Sequence, residues 1–262
     1  MIDIHNHILH GLDDGSPDIK TTEFYLDLVA EAGMEAIVFT PHYMRGFYDN
    51  TKDKVLATFE QVEQLKKQKG YLFRMYCAVE MYLMGQEAVS DIQTNAFMIN
   101  GSRYVLVENS LTGFSHDLFE NLYKLVKLGF KPILAHPERY LEIQRKPDLA
   151  EDFMHRDVYL QISTSSVLGG HGSHIKDVAM ELIDRGYAHF LGSDCHCHSG
   201  VYDYPLAVEL IRNEFGDDTA EILSSENPSM MLDNENIQYF YVTFYDRKKK
   251  PGFWERLLGM NI

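Results

Sequence analysis

The sequence predicts a single-domain α/β fold built as a parallel barrel of about seven strands, and three observations carry that expectation. Short apolar runs of strand length alternate with amphipathic helical stretches along nearly all of the 262 residues. No Pro/Gly/Ser-rich linker and no internal repeat divides the chain. Run after run ends in a histidine or a carboxylate, at the strand ends where a parallel barrel gathers its chemistry.

The first element is Ile2-Asp3-Ile4-His5-Asn6-His7, a short strand whose period of two puts His5 and His7 on one face. Asp13-Asp14-Gly15-Ser16-Pro17-Asp18 is a turn and helix start, with Ser16 as the expected N-cap and Pro17 at the first helical position. A helix runs to about Glu31, with Phe24, Leu28 and Ala32 on one face, and Gly33 ends it. Glu35–Thr40 reads as a buried strand broken by Pro41-His42. Lys52–Lys69 is a long helix carrying Val55, Phe59, Val62 and Leu65 at helical spacing. Tyr71–Glu80 is the next strand, followed by a mostly polar connector and the strand Arg103–Glu108. A helix over 117–128 leads through Gly129 to the strand Lys131–Ala135, which ends in His136. Val158–Ile162 is a strand, Ser173–Arg185 a helix closed by Gly186, and Tyr187–Gly192 a strand that runs into Ser193-Asp194-Cys195-His196. Helices at about 203–215 and 217–224 follow.

Composition narrows the function. A net charge of −15 argues against nucleic acid, which needs a basic face. No stretch of about 18 apolar residues is present, so no membrane span is expected, and the charged start is unlike a signal peptide. Three cysteines make no disulfide framework, and a reducing cytoplasm is the expected location.

The strand ends supply His5, His7, His42, Glu80, Glu108, His136, Asp194 and His196. One such residue is usually a satisfied polar group, but six strand ends delivering imidazole or carboxylate point to a shared metal site. Mixed nitrogen and oxygen donors suit zinc, manganese or iron, and the carboxylates favour the harder ions. The donors outnumber what one ion can use, which implies two or three. Cys195 and Cys197 alternate with Asp194 and His196, so thiols and metal donors should face opposite ways. Cys77 reads as a small buried hydrophobe.

His5-Asn6-His7, Asp14, Thr40-Pro41-His42, Glu80, Glu108, His136-Pro137-Glu138-Arg139-Tyr140 and Ser193-Asp194-Cys195-His196 resemble the motifs of the polymerase-and-histidinol-phosphatase (PHP) superfamily. The opening DIHNHILHGLDDGSPD and the HPERY run are most similar to its capsule-type, manganese-dependent bacterial protein tyrosine phosphatases. The resemblance covers residues 1–225 and leaves 226–262 as a C-terminal extension flanking or packed on the barrel. It implies a distorted seven-stranded barrel holding three metal ions, manganese first, with iron or zinc as alternatives. It places His5, His7, Glu80 and Asp194 on one ion, Glu80, Glu108 and His136 on a second, and Asp14, His42 and His196 on the third. It also implies a partner, a phosphotyrosine protein such as a bacterial tyrosine kinase that controls polysaccharide export. Cys195 departs from the small residue more often found between the aspartate and histidine, and the adjacency of Asp13 and Asp14 leaves open which one ligates.

Phosphate chemistry fits these residues. Three divalent ions against the carboxylates of Asp14, Glu80, Glu108 and Asp194 leave about two positive charges for a phosphate dianion. Arg139 is the expected phosphate-binding and catalytic residue, and Arg45 a second substrate-binding candidate. No cysteine has an arginine six positions later, which excludes a thiolate phosphatase loop. A phenolate leaves more easily than an alkoxide, so a tyrosine phosphatase depends less on a general acid; His198, His10 and a metal-bound water are the acids the sequence offers. Two enzymatic alternatives remain, a small-molecule phosphatase of the histidinol-phosphate type and an amidohydrolase, which also opens with HxH on a barrel strand. In the tail, Tyr239–Phe244 reads as a further strand, and Arg247–Lys250 precedes a short amphipathic turn at Phe253–Leu258.

Overall fold

A computed structural model of the chain describes residues 1–95 and 98–238; the expected strand Tyr239–Phe244, the basic run Arg247–Lys250 and the turn Phe253–Leu258 lie outside them. Nine strands are described: β1 (Ile2–Asn6), β2 (Ala36–Phe39), β3 (His42–Tyr43), β4 (Arg74–Cys77), β5 (Glu80–Tyr82), β6 (Tyr104–Glu108), β7 (Lys131–Ala135), β8 (Tyr159–Ser163) and β9 (Phe190–Gly192). They form a three-stranded sheet in the order β1-β2-β4 and a six-stranded sheet in the order β3-β5-β6-β7-β8-β9, and every ladder is parallel. The α/β class is as expected.

The count exceeds seven because two expected strands divide. The segment from Ala36 pairs in the small sheet as β2, breaks at Thr40-Pro41, and resumes in the large sheet as β3. The segment from Arg74 breaks likewise between β4 and β5. Pro41 has no amide hydrogen to give a ladder, yet its carbonyl accepts from Glu80 N at 3.1 Å, one step beyond the bond from Ala78 N to Phe39 O at 2.8 Å. His42 and Glu80 therefore open short strands instead of closing long ones, and they are register partners. A seam joins the two sheets, where Asp194 N donates to the His5 carbonyl at 2.8 Å and His7 N to the Cys195 carbonyl at 3.0 Å.

Apolar side chains of the strands fall into two cores. Ile37, Phe39, Val107, Leu134, Leu160 and Leu191 pack against the buried stripes of the surrounding helices. These are α1 (Ile19–Glu31), α2 (Lys52–Lys69), α3 (Ala88–Asn95), α4 (Leu118–Lys127), α5 (Leu141–Arg145), α6 (Leu149–Met154), α7 (Thr164–Leu168), α8 (Ser173–Asp184) and α9 (Tyr204–Phe215). Ile2, Ile4, Val38, Leu106, Ile133, Tyr159 and Phe190 form the other core. α10 (Asp217–Glu221) runs through a π turn at Ile222–Glu226 into α11 (Asn227–Leu232), whose Pro228 sits in the first turn. Met231, Leu232 and Ile237 complete this second core, and Tyr104 and Tyr159 donate their hydroxyls to the carbonyls of Glu235 and Ile237 at 2.7 and 3.2 Å.

The start of α1 differs from expectation. Asp18, not Ser16, is the N-cap, its carboxylate accepting from Thr21 N at 2.8 Å. Ser16 is buried two residues earlier, with its amide on the His7 carbonyl and its hydroxyl on Thr22. The buried face is Thr22, Tyr25, Leu26 and Val29, while Phe24 is half exposed. Both stripes meet helical spacing; the buried one carries Tyr25, Leu26 and Val29 into the helix-side core and lets Thr22 donate to the Ile8 carbonyl. The polar connector after β5 contains α3, and the short helices α5, α6 and α7 were likewise unexpected.

Candidate metal centre

The site begins with an irregularity in β1. The register with β2 shifts between Asp3 and Asn6, and such a bulge re-aims the side chains that follow it. Strict alternation would set His5 opposite Ile2 and Ile4. With the bulge, Asn6 turns to the same side as Asp3, donating to it at 3.3 Å, and His5 and His7 face the centre together.

Their Nε2 atoms lie 3.2 Å apart. Glu80 Oε2 is 3.2 Å from His5 Nε2 and 3.4 Å from His7 Nε2, and Asp194 Oδ1 is 3.4 Å from both. Nitrogen and oxygen donors at about 2.0–2.2 Å from one cation stand about 3.3–3.6 Å apart when tetrahedral. The spacing is that of ligands sharing an ion. A second set adjoins the first: His42 Nδ1 is 3.0 Å from Glu80 Oε2 and 2.9 Å from Glu108 Oε1, and His136 Nε2 is 3.0 Å from Glu80 Oε1 and 3.9 Å from Glu108 Oε2. Towards solvent, Asp14 Oδ1 is 3.7 Å from His42 Nε2 and 3.6 Å from His196 Nε2. All nine sequence-designated donors are thus brought together in one chain of contacts. Asp194 and His136 hold left-handed backbone, φ +51° and +37°, which costs a non-glycine residue about 1–3 kcal/mol and recurs where surrounding structure fixes a functional geometry.

Three residues not designated from sequence hold the donors in place. Asp13 Oδ2 accepts from His7 Nδ1 at 2.7 Å, and Gln161 Oε1 accepts from His5 Nδ1 at 2.7 Å, so both Nε2 lone pairs face the centre. Asp13 also accepts the backbone amide of His42 at 2.9 Å. Of the adjacent aspartates, Asp14 faces the outer imidazoles of His42 and His196, and Asp13 bonds to His7. Asp3 is the third, discussed below. Gly192 is required beside them, because a Cβ there would come within 2.6 Å of Gln161 Nε2 and 2.8 Å of His5 Cβ. The signal for Gln161 was a lone amide within the otherwise apolar run of β8.

The charges oppose one another across the cluster. Burial would strip the proton from His42, but Glu80 and Glu108 reverse that and lift its pKa to about 10. Burial likewise opposes charge on Glu80 and Asp194, yet the imidazoles hold both well below the usual carboxylate range. Burial and the neighbouring Glu80 raise Glu108. Burial and His7 press His196 down to about 4, which keeps it a neutral, ligand-competent ring. Glu80 Oε2 is buried without a hydrogen bond of good geometry. Buried carboxylates and imidazoles with orphaned lone pairs fit divalent cations, and by their hard-soft balance they fit manganese, iron or zinc alike.

Arg139 borders the cluster, its Nη1 donating to Asp194 Oδ2 at 2.8 Å. Arg45 is engaged elsewhere, its guanidinium forked onto Asp91 of α3. Glu138 turns away from the donors and accepts Ser163 N at 3.0 Å. Neither Cys195 nor Cys197 belongs to a donor group; both are partly buried against the helix-side core, and their thiols hydrogen-bond each other. Cys77 is only partly buried, and burial raises its thiol to about 11. His198 is exposed, and burial depresses the His10 imidazole.

Comparison with known proteins gives this geometry a family. The model of the capsular polysaccharide synthesis family CpsB/CapC matches residues 1–233. A Staphylococcus aureus protein named CapC is 30% identical over 263 residues, covering 97% of this chain and 99% of its own length. The tyrosine-protein phosphatase YwqE of Bacillus subtilis is 29% identical over 269 residues, covering 97% of this chain and all of its own. A solved structure from the pair YwqE of Bacillus subtilis and CpsB of Streptococcus pneumoniae, metal-dependent tyrosine phosphatases, matches with a TM-score of 0.84 at 27% identity, covering 91% of this chain and 96% of that one. The chain belongs to the CpsB/CapC family of capsular polysaccharide synthesis proteins.

Proposed function

We propose that the protein is a metal-dependent protein tyrosine phosphatase, acting on the phosphotyrosine of a bacterial kinase that controls capsular or exopolysaccharide synthesis, in the cytoplasm. The observation that carries the reading is the convergence of His5, His7, Glu80 and Asp194 at ligand spacing beside the Arg139 guanidinium. Kinship with proteins named as tyrosine phosphatases, metal-dependent in the solved pair, supports the enzyme class. In this reading the strands are seven staves of a PHP-type barrel, two of them interrupted, and residues 226–238 belong to the same unit as 1–225.

His5, His7, Glu80 and Asp194 would hold one ion, with Glu80, Glu108 and His136 on a second and Asp14, His42 and His196 on a third. A neutral imidazole offers one lone pair, so His42 would ligate through Nε2 beside Asp14 and keep a proton on Nδ1 towards Glu80 and Glu108. Manganese is the metal we assign. Divalent ions held there would lower the pKa of water and offset the charge of a phosphate dianion. The residues do the rest. Asp13 and Gln161 fix the tautomers of His7 and His5, and Asp194 holds Arg139 through one nitrogen, leaving the planar fork to meet a phosphoryl oxygen. Arg45, clamped by Asp91, acts on its loop and not on the phosphate.

The test is turnover of a phosphotyrosine peptide, histidinol phosphate and an amide substrate by chelated protein with manganese restored. Manganese-dependent release of phosphate from the peptide, well above that from histidinol phosphate, is expected. Preference for histidinol phosphate would replace this reading with the small-molecule phosphatase, and amide cleavage with the amidohydrolase.

A further inference from the structure

We propose that Phe47, braced by Tyr48 on the loop after β3, is the platform on which the aromatic ring of a phosphotyrosine lies; the inference rests on the function proposed above and names how that site selects an aryl ester.

The donor cluster has a floor and a mouth. The side chains of His5, His7 and Glu80 are wholly buried, whereas His42 is 15%, His196 25% and Asp14 54% exposed. A phosphoryl group reaching the floor enters past His42, His196 and Asp14. The Tyr48 ring stands at that mouth, stacked on the His42 imidazole with centroids 5.7 Å apart and planes 14° from parallel. Phe47 meets Tyr48 edge to face at 5.1 Å and 85°, yet is 73% exposed.

Single exposed aromatics are ordinary. The backbone that carries this one is tied down at several points. Met44 and Tyr48 exchange backbone bonds at 3.1 and 2.7 Å, and Phe47 N donates to Met44 O at 2.8 Å. Gly46, at φ +78°, donates to Asp49 at 2.8 Å, and Asn50 ties the loop's end to the carbonyls of Leu12 and His42 at 2.9 and 2.7 Å. Arg45 on Asp91 clamps the other side. A loop with this many fixed points that still leaves a phenyl ring in water, two ring contacts from a metal donor, presents that ring to something. Phosphotyrosine carries a ring one ester oxygen from its phosphorus, and aromatic pairs gain from edge or offset contact beyond the area they bury. Phosphoserine carries none, and its backbone would have to enter the mouth.

Calorimetry on the full manganese-loaded chain with phenylphosphonate and methylphosphonate reads the platform directly. Wild type should bind the phenyl compound roughly tenfold more tightly, and Phe47→Ala should erase the difference while leaving methylphosphonate unchanged. Phe47→Tyr should restore it. In turnover, Phe47→Ala should raise KM for a phosphotyrosine peptide roughly tenfold with kcat within about twofold. An unchanged phenyl preference in Phe47→Ala, or an equal loss for both compounds, overturns the inference. A wild type inert on the peptide overturns both this and the proposed function; an active wild type with an indifferent Phe47→Ala overturns this alone.

Discussion

Asp3 accepts both hydrogen bonds that Ser193 can donate, the amide at 2.9 Å on Oδ1 and the hydroxyl at 2.7 Å on Oδ2. The same carboxylate accepts His5 N at 3.2 Å, the Tyr202 hydroxyl at 3.0 Å and Asn6 Nδ2 at 3.3 Å. Asp3 thereby pins β1 to the end of β9 directly beneath His5 and Asp194. Asp3→Asn replaces an acceptor with a donor facing other donors. Because hydrogen bonds to a charged group contribute about 1.5–3 kcal/mol each, the variant should lose about 3 kcal/mol in chemical denaturation. It should also bind manganese more weakly, and intact affinity would show that the seam does not position the donors.

Asp13→Ala and Gln161→Ala each release one imidazole from its tautomer. Groups that orient metal ligands typically change affinity by roughly 10- to 100-fold. Each variant should weaken manganese binding by that factor, measured by competition with a chelator, while circular dichroism stays native. A substitution that leaves metal affinity unmoved would make its residue a packing element only.

The donor types were legible in the sequence because each follows or opens an apolar run, and such runs are read from composition alone. Their grouping depends on features that leave weaker traces. Nothing in Ile2–His7 announces the bulge, and without it Ile4 and His5 alternate to opposite sides. Thr40-Pro41 announces a break but not that the two halves pair in different sheets. Asp13 and Asp14 are chemically equal neighbours, and only the turn through Gly15 decides which orients and which faces the mouth. Ser16 and Asp18 are both good caps, separated by tertiary hydrogen bonds of Ser16 that lie outside the local sequence. Gln161 could have been found as the one polar side chain in the middle of a buried strand.

Metal should stabilise the fold. At a hundredfold excess over its dissociation constant a ligand specific for the native state adds about 2.7 kcal/mol, or about 5–10 °C for a chain of this size. Thermal scans of chelated and manganese-restored protein should differ by that amount. Glu80→Gln, which removes the carboxylate shared by His5, His7, His42 and His136, should abolish the difference. Stabilisation persisting in that variant would place the ion elsewhere.

Arg139→Ala should lower kcat/KM on a phosphotyrosine peptide by roughly a hundredfold to a thousandfold, the scale for removing one preorganised donor to developing charge. Arg139→Lys should recover little, because an ammonium lacks the planar fork. Metal content by mass spectrometry should be unchanged in both. Full activity in Arg139→Ala would leave Arg139 as a partner of Asp194 alone.

His189 contributes to loss of stability on the acid side from a place outside the donor cluster. Its ring is wholly buried just ahead of β9, accepts Leu160 N on Nδ1 at 3.1 Å, and is pushed down to about 3 by burial. An unfolded chain titrates this group near pH 6.5. Between those values the unfolded state carries the proton and the native state does not, so stability falls as pH falls. Over pH 7 to 5 the loss from this group is about 2 kcal/mol. In the metal-free protein His42 works in the opposite direction, since its raised pKa contributes stability below pH 6.5 that is lost as pH climbs towards about 10. A difference measurement separates them. His189→Asn keeps an acceptor near Leu160 N but cannot titrate, so its fixed packing cost is the same at both pH values. Chemical denaturation at pH 7 and pH 5 should show wild type losing about 2 kcal/mol more than His189→Asn. Parallel losses in the two proteins would mean that the buried ring is protonated in the native state.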